Sequence, residues 1–334
     1  MYRVGQLDVS LLLTLAVALV FNFLNGYIAS SSLVATIIAS RALSARQALA
    51  LASLGEFIGP LLFGAAVAST IGRDFVNIST LPLTAVLAML IGAVLWLLAT
   101  YRLGLPVSPS HALVGGIIGA TVAASGVGAI RLAGLTKIVG SLLLAPVIGM
   151  ACGWLFMELI LIVARGASPK INRRFKQAQV VTSTLLAISQ GSNDAQKTIG
   201  VITMALVISG AQAEFRVPLW VSLLSAATIA IGVASGGTRT MRTLASKFYR
   251  IRPVHGFATQ TVSSIVVLLA GLLGAPVSTG QVVSSSLVGV GSAERLSKVR
   301  WNMAANILLA WLLTIPASAL LSAAVFLLLR QLLG

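Results

Sequence analysis

The chain has 334 residues, of which 57% are hydrophobic and 9% charged, and its mean hydropathy is +1.00. These values exclude a water-soluble domain, which needs more polar residues to cover its surface. The formal net charge of +16 does not point to nucleic acid, because Lys and Arg sit in short stretches between apolar runs, where they set orientation in a bilayer.

Apolar runs of about 20 residues recur along the whole length, each long enough as a helix to cross roughly 30 Å of hydrocarbon. The runs are continuously apolar and do not alternate, which predicts an all-α integral membrane protein rather than a barrel. The single cysteine, Cys152, rules out an intramolecular disulfide framework and reads as a small buried or lipid-facing residue. The first run lacks a small-residue cleavage site, so no cleavable signal is expected.

Residues 10–40 form the first run, which as one helix would be roughly 46 Å long. That is too long for one straight crossing, and Asn25-Gly26 is the predicted break. A second helix is predicted over 47–70, carrying Glu56 inside its apolar face, and a third over 81–100, ending at Arg102. The segment Gly104-Leu105-Pro106-Val107-Ser108-Pro109-Ser110-His111 then opens a short glycine-rich apolar piece, read as a broken or re-entrant helix. Arg131 and Lys137 bracket the next loop, and a helix follows over 138–164.

Residues 165–179 are abruptly basic, with Arg165, Lys170, Arg173, Arg174 and Lys176, and form a cytoplasmic linker between a first transmembrane repeat, 1–164, and a second, 180–334. The second repeats the plan of the first. Residues 180–209 are again too long for one crossing, with a predicted break at Gly191-Ser192-Asn193-Asp194. After the neutral loop of Glu214 and Arg216 come a helix, a basic loop spanning Arg239, Arg242, Lys247, Arg250 and Arg252, and a further helix. Gly274-Ala275-Pro276-Val277-Ser278-Thr279 echoes the earlier Pro106-Val107-Ser108, and a last helix follows Arg295, Lys298 and Arg300. The halves share one order of elements, an internal repeat. With the linker cytoplasmic, tracing the chain puts Arg41, Arg46, Arg102 and the later basic loops inside and both termini outside. An odd number of crossings per half makes the repeats inverted, and only Arg131 and Lys137 fall on the disfavoured side. Inverted repeats with discontinuous helices in matching positions point to a secondary transporter with a site near the midplane.

Of the seven acidic residues, only Glu56 and Asp194 are expected to lie deep. Burying an ionised carboxylate costs at least about 2.5 to 3.5 kcal/mol, so each needs a cation, a proton or a set of donors. Asp194 reads either as a coupling residue or as the cap of a half-helix starting near Ala195. Lys197, one turn on, can pair with Asp194, reach an anion, or snorkel toward an interface. The two Pro-Val-Ser segments put Ser108, Ser110, Ser278 and Thr279 with free backbone N–H groups at half-helix starts, an arrangement suited to an oxyanion and also to close helix contacts. His111 has no close sequence partner, and His255 adjoins the basic loop. No metal cluster or nucleophile–base pair is visible, so an enzyme is not expected and no cofactor is implied.

These residues resemble the inorganic phosphate transporter (PiT) family of sodium- or proton-coupled carriers over nearly the whole chain. The most specific pieces are Gly191 to Gly200, Arg252-Pro253-Val254-His255-Gly256-Phe257, and Gly274 to Thr279. Asn25-Gly26 with Val34-Ala35-Thr36 resembles the first-half signature, and Glu56 stands where the family has an intramembrane glutamate. The resemblance implies a homodimer in the inner membrane, surrounded by lipid, with inorganic phosphate held by Ser108, Ser110, Asn193, Ser278, Thr279 and Lys197. It further implies a coupling cation or proton at Asp194, Asn25, Glu56 and Asn22, with sodium at Asp194, Asn193 and Asn25. The chain departs from the family pattern at Asn22, Ala29 and Ser32, at Gln190, Gln260 and Gln281, and at Pro109-Ser110; several of these replace acids. Fewer carboxylates put the number and identity of coupling ions in question and bring sulfate into consideration beside phosphate. A proton-coupled sulfate permease and a degenerate, non-transporting membrane partner or sensor are the competing readings.

Overall fold

A computed structural model describes residues 9–105, 107–236, 251–296 and 301–333, with the side chains of 301–307, 311 and 333 excepted. Asp8, Pro106, the basic positions Arg239, Arg242, Lys247 and Arg250, and Lys298 and Arg300 lie outside them. The described residues are almost wholly helical, with one isolated bridge between Val76 and Ile130. In chain order the helices are α1 Val9–Ala39, α2 Ala45–Leu62, the short α3 Ala66–Ser69 running into a π turn Thr70–Asp74, α4 Leu83–Arg102, α5 Pro109–Ser125 and α6 Leu132–Val163. The second half holds α7 Ile171–Ile208, α8 Leu219–Ala234, α9 Pro253–Leu272, α10 Thr279–Glu294 and α11 Trp301–Leu333. Among the described residues, five helices are long and apolar enough to cross a membrane, or six if the pair α2 and α3 counts as one broken span bent by 71°.

The breaks predicted at the two Pro-Val-Ser segments are present, ahead of α5 and α10, but those predicted at Asn25-Gly26 and at Gly191 to Asp194 are not. Helix α1 runs unbroken through Asn25-Gly26, and α7 runs for 38 residues through Gly191 to Asp194. Both glycines mark helix crossings instead. A Cβ on Gly26 would collide with the Ile229 carbonyl of α8, and one on Gly191 would come within 2.6 Å of Glu56 Cα on α2. A glycine in a helix costs about 1 kcal/mol against alanine, which does not break a helix whose neighbour packs onto the missing side chain. The true discontinuities lie at Phe63–Ala65, between α2 and α3, and before α5 and α10. Those two helices, of 17 and 16 residues, are too short for a full crossing.

The direction of packing establishes the inverted repeat. The start of α2 packs back on the end of α1, Ala48 and Ala52 meeting Leu33, Val34 and Ile37, so these helices are antiparallel. Gly55 faces Ala187 and Gly59 faces Gly191, so α2 and α7 run parallel. Helix α7 therefore opposes α1, its counterpart in the other half. The same relation holds with the halves exchanged: Asn22 meets Ser225, Gly26 meets Ile229 and Ser30 meets Gly236, so α8 runs parallel to α1. The short helices are also exchanged, α5 seating on α11 and α10 on α6. Large apolar side chains such as Leu144, Val147, Leu155 and Ile162 of α6 face outward, toward the hydrocarbon, and Cys152 is exposed on the same helix.

Candidate functional site

The centre of α7 is polar and entirely enclosed. Gln190, Ser192, Asn193, Asp194, Gln196, Lys197 and Thr198 are all buried, none above 2% exposure. A helix can bury such a face only where its neighbours supply partners, and here they come from the two half-helix starts.

Asn193 clamps the segment ahead of α10. Its amide nitrogen donates to the Ala275 carbonyl at 3.1 Å, and its oxygen accepts from the Val277 amide at 3.2 Å, bracketing Pro276, which has no N–H of its own. Asp194 uses both oxygens, accepting from Lys197 Nζ at 2.5 Å and from the Thr279 hydroxyl at 2.7 Å. Lys197 spends all three donors, the others going to Ser110 Oγ and the Val277 carbonyl, each at 2.6 Å. Asp194 therefore does not cap a half-helix, and Lys197 does not snorkel: they are an i,i+3 ion pair inside one continuous helix.

The two half-helices meet end to end. Ser108, the N-cap of α5, lies 2.8 Å from Ser278, the N-cap of α10, hydroxyl to hydroxyl. Ser108 Oγ also accepts from the His111 amide at 3.3 Å and lies 2.9 Å from His111 Nδ1, so the histidine, expected to have no close sequence partner, has one three residues before it. Ser278 caps nothing with its side chain. Each helix start carries about half a positive charge, and here two of them converge. With Asp194 and Lys197 neutralising each other, the junction keeps that positive potential, the electrostatics of an oxyanion site.

Glu56 lies on another side of α7, across the crossing at Gly191. It is 0% exposed and no described group donates to either oxygen, yet it is within electrostatic reach of Asp194 and Lys197. Gln190, on the α7 turn that faces it, is also buried with both amide atoms unpartnered. Asn22 and Asn25 stand apart from these groups. Asn22 donates to the Ser225 carbonyl at 2.7 Å, and buried Asn25 shares no hydrogen bond with Asn193 or Asp194. The structure thus joins Ser108, Ser110, Asn193, Asp194, Lys197, Ser278 and Thr279 in one cluster, sets Glu56 beside it, and leaves Asn22 and Asn25 outside.

Two groups escaped the sequence reading. Gln196 holds the break between α2 and α3, donating to the Phe63 carbonyl at 2.9 Å and accepting from the Val67 amide at 2.9 Å. Its signal was present, as a polar residue within the same island. The second is a neutral chain joining α7, α9 and α1: Thr182 donates to Gln260 at 2.7 Å and Gln260 to Thr36 at 2.9 Å, while Ser40 donates to Gln179 at 2.8 Å. Its members are scattered in sequence and only the fold unites them.

Comparison with known proteins bears on the family and the fold. The phosphate transporter family profile matches twice, over residues 25–166 and 162–322, once in each half. A probable low-affinity inorganic phosphate transporter of Bacillus subtilis (strain 168) is 35% identical over 332 residues, covering 97% of this chain and 99% of its own. A protein of the same description from Rhizobium meliloti (strain 1021) is 39% identical, over 92% of this chain and 93% of its own. A solved structure described as the sodium-dependent phosphate transporter superposes with a TM-score of 0.88 at 25% identity, covering 97% of this chain and 100% of that one. The repeated profile, the full-length relatives and the apolar helices leave one assignment: this chain is a multi-pass membrane protein belonging to the phosphate transporter family.

Proposed function

We propose that the protein is a symporter for inorganic phosphate that works by alternating access in the inner membrane, with the 165–179 linker cytoplasmic and both termini outside. The observation that carries the substrate is the end-to-end contact of Ser108 and Ser278 beside Asp194 and Lys197. A bound phosphate takes the place of the serine–serine hydrogen bond, receives both hydroxyls and the converging helix amides, and draws Lys197 from the Val277 carbonyl. Monohydrogen phosphate also carries an O–H that can donate to Asp194. Sulfate has only acceptors and cannot donate to the carboxylate, which favours phosphate.

Coupling is assigned to Glu56. A fully buried carboxylate without a donor is tolerated only with a cation or a proton attached. It packs against the α7 turn that carries the anion site, so loading one site alters the field and packing at the other. Of the two coupling ions, the proton is favoured by the scarcity of acids: Asp194 already holds Lys197, and Ala29, Ser32, Gln190 and Gln260 offer no carboxylate. The test is uptake of labelled phosphate and sulfate into proteoliposomes under imposed proton or sodium gradients. Phosphate accumulation that follows the proton gradient is the expected result. Sulfate accumulation would move the assignment to a sulfate permease, and no uptake of either anion by demonstrably folded protein would leave a non-transporting partner or sensor.

A further inference from the structure

Lys137 breaks the positive-inside pattern, and its surroundings give it a task. It sits in the first turns of α6, at the end of the molecule where α9 finishes and the chain turns down toward the site through Gly274, Ala275, Pro276 and Val277. Its Nζ lies 3.2 Å from the Thr70 hydroxyl, which donates to the Gly274 carbonyl at 2.6 Å. Gly274 has φ +66°, and a side chain there would come within 3.1 Å of Lys137 Nζ, so glycine keeps the space before the ammonium clear. One turn further along α6, Ser141 donates to the Pro276 carbonyl at 2.8 Å. Asn193 then holds Ala275 and Val277, and Lys197 holds the Val277 carbonyl. One short backbone segment, itself at most about 11 Å long, thus links the partners of an exposed lysine to those of the buried one.

Lys137 is also uncommitted electrically. No carboxylate pairs with it among the described residues, and Asp74, the acid whose backbone packs on the start of α6, is taken by Arg73 at 3.0 Å. An unpaired cation beside a low-dielectric wall raises the local concentration of anions and speeds their capture, an effect that salt weakens.

We infer that Lys137 is the outer capture residue for the divalent oxyanion, holding it at the external mouth before it passes along the Gly274–Val277 segment to Lys197 and the paired serines. This rests on the phosphate reading and on the orientation given above. The deciding experiment measures initial phosphate uptake against external phosphate concentration, at low and high ionic strength, for the wild type, Lys137→Gln and Lys137→Arg. Lys137→Gln should raise KM about three- to tenfold at low salt with the maximal rate unchanged, should lose most of its salt dependence, and should be rescued by Lys137→Arg. In a Cys152→Ala background, Lys137→Cys in intact cells should recover a low KM when a membrane-impermeant, positively charged thiol reagent is added outside; this variant carries the same comparison if Lys137→Gln does not fold. An unchanged KM at both salt levels beside an active wild type overturns the inference alone. No recovery in intact cells, with recovery when the same reagent is added to inside-out vesicles, overturns the external placement. Absence of phosphate uptake by the wild type overturns the phosphate reading on which the inference rests.

Discussion

The two long helices that head the halves, α1 and α7, occupy matching places in the inverted repeat and have diverged in chemistry. In α7 the central turns carry an acid, a base and three amides, and Asn193, Asp194, Gln196 and Lys197 all reach across to other elements. In α1 the corresponding polar stretch is turned inward on itself: Ser30, Ser31 and Ser32 each donate to the carbonyl three residues earlier, at 2.7, 3.0 and 2.8 Å. Both stretches are buried, so burial does not distinguish them. What differs is whether the side chains bind their own helix or another. Serine satisfies itself locally and needs no partner, whereas a buried acid or base must recruit one. The first half supplies Glu56 and the start of α5, while the second supplies the Asp194–Lys197 pair.

Several substitutions can break or sharpen that contrast. The largest effect is expected from Lys197→Met, which leaves Asp194 buried without its cation and should cost about 3–5 kcal/mol of stability together with all uptake; thermal unfolding in detergent checks the first part. The double variant Asp194→Asn/Lys197→Met should regain much of the stability and none of the transport. Next comes Gly191→Val, whose side chain must enter the Glu56 backbone; it should destabilise by about 1–3 kcal/mol and separate α2 from α7, read by cross-linking of cysteines placed at the crossing. Glu56→Gln keeps shape and removes the titratable oxygen, and should leave a folded protein whose phosphate uptake no longer follows an imposed gradient. Ser278→Ala loses one hydrogen bond to the anion, about 0.5–1.5 kcal/mol, and should raise KM by roughly two- to tenfold. Ser31→Ala, a control in the quiet stretch of α1, should change uptake by less than about twofold, since its hydroxyl serves only the Ile28 carbonyl.

The polar island, the paired Pro-Val-Ser segments and the inverted plan were legible in the sequence because each is a local departure from an apolar background or a repetition of one. The continuity of α1 and α7 was not. Length and an Asn-Gly or Gly-Ser-Asn-Asp run suggest a break, but whether a glycine interrupts a helix or admits a neighbour depends on what crosses there, and Ile229 and Glu56 lie far away in sequence. The real break after α2 has only Gly64, at φ +44°, to announce it. It is held by Gln196, 133 residues from Phe63. The Asp194–Lys197 pairing was one of the readings that one-turn spacing allowed, and the continuity of α7 selects it. The carbonyl partners of Asn193 and Lys197 were beyond reach, since backbone groups have no sequence signature.

The measurement that bears most directly on the central claim is gradient-driven uptake of labelled phosphate into proteoliposomes by Asp194→Asn beside the wild type, with folding of both verified. Accumulation by the wild type and none by Asp194→Asn is the predicted result. Normal coupled uptake by Asp194→Asn would contradict the account and remove the charged centre of α7 from the mechanism.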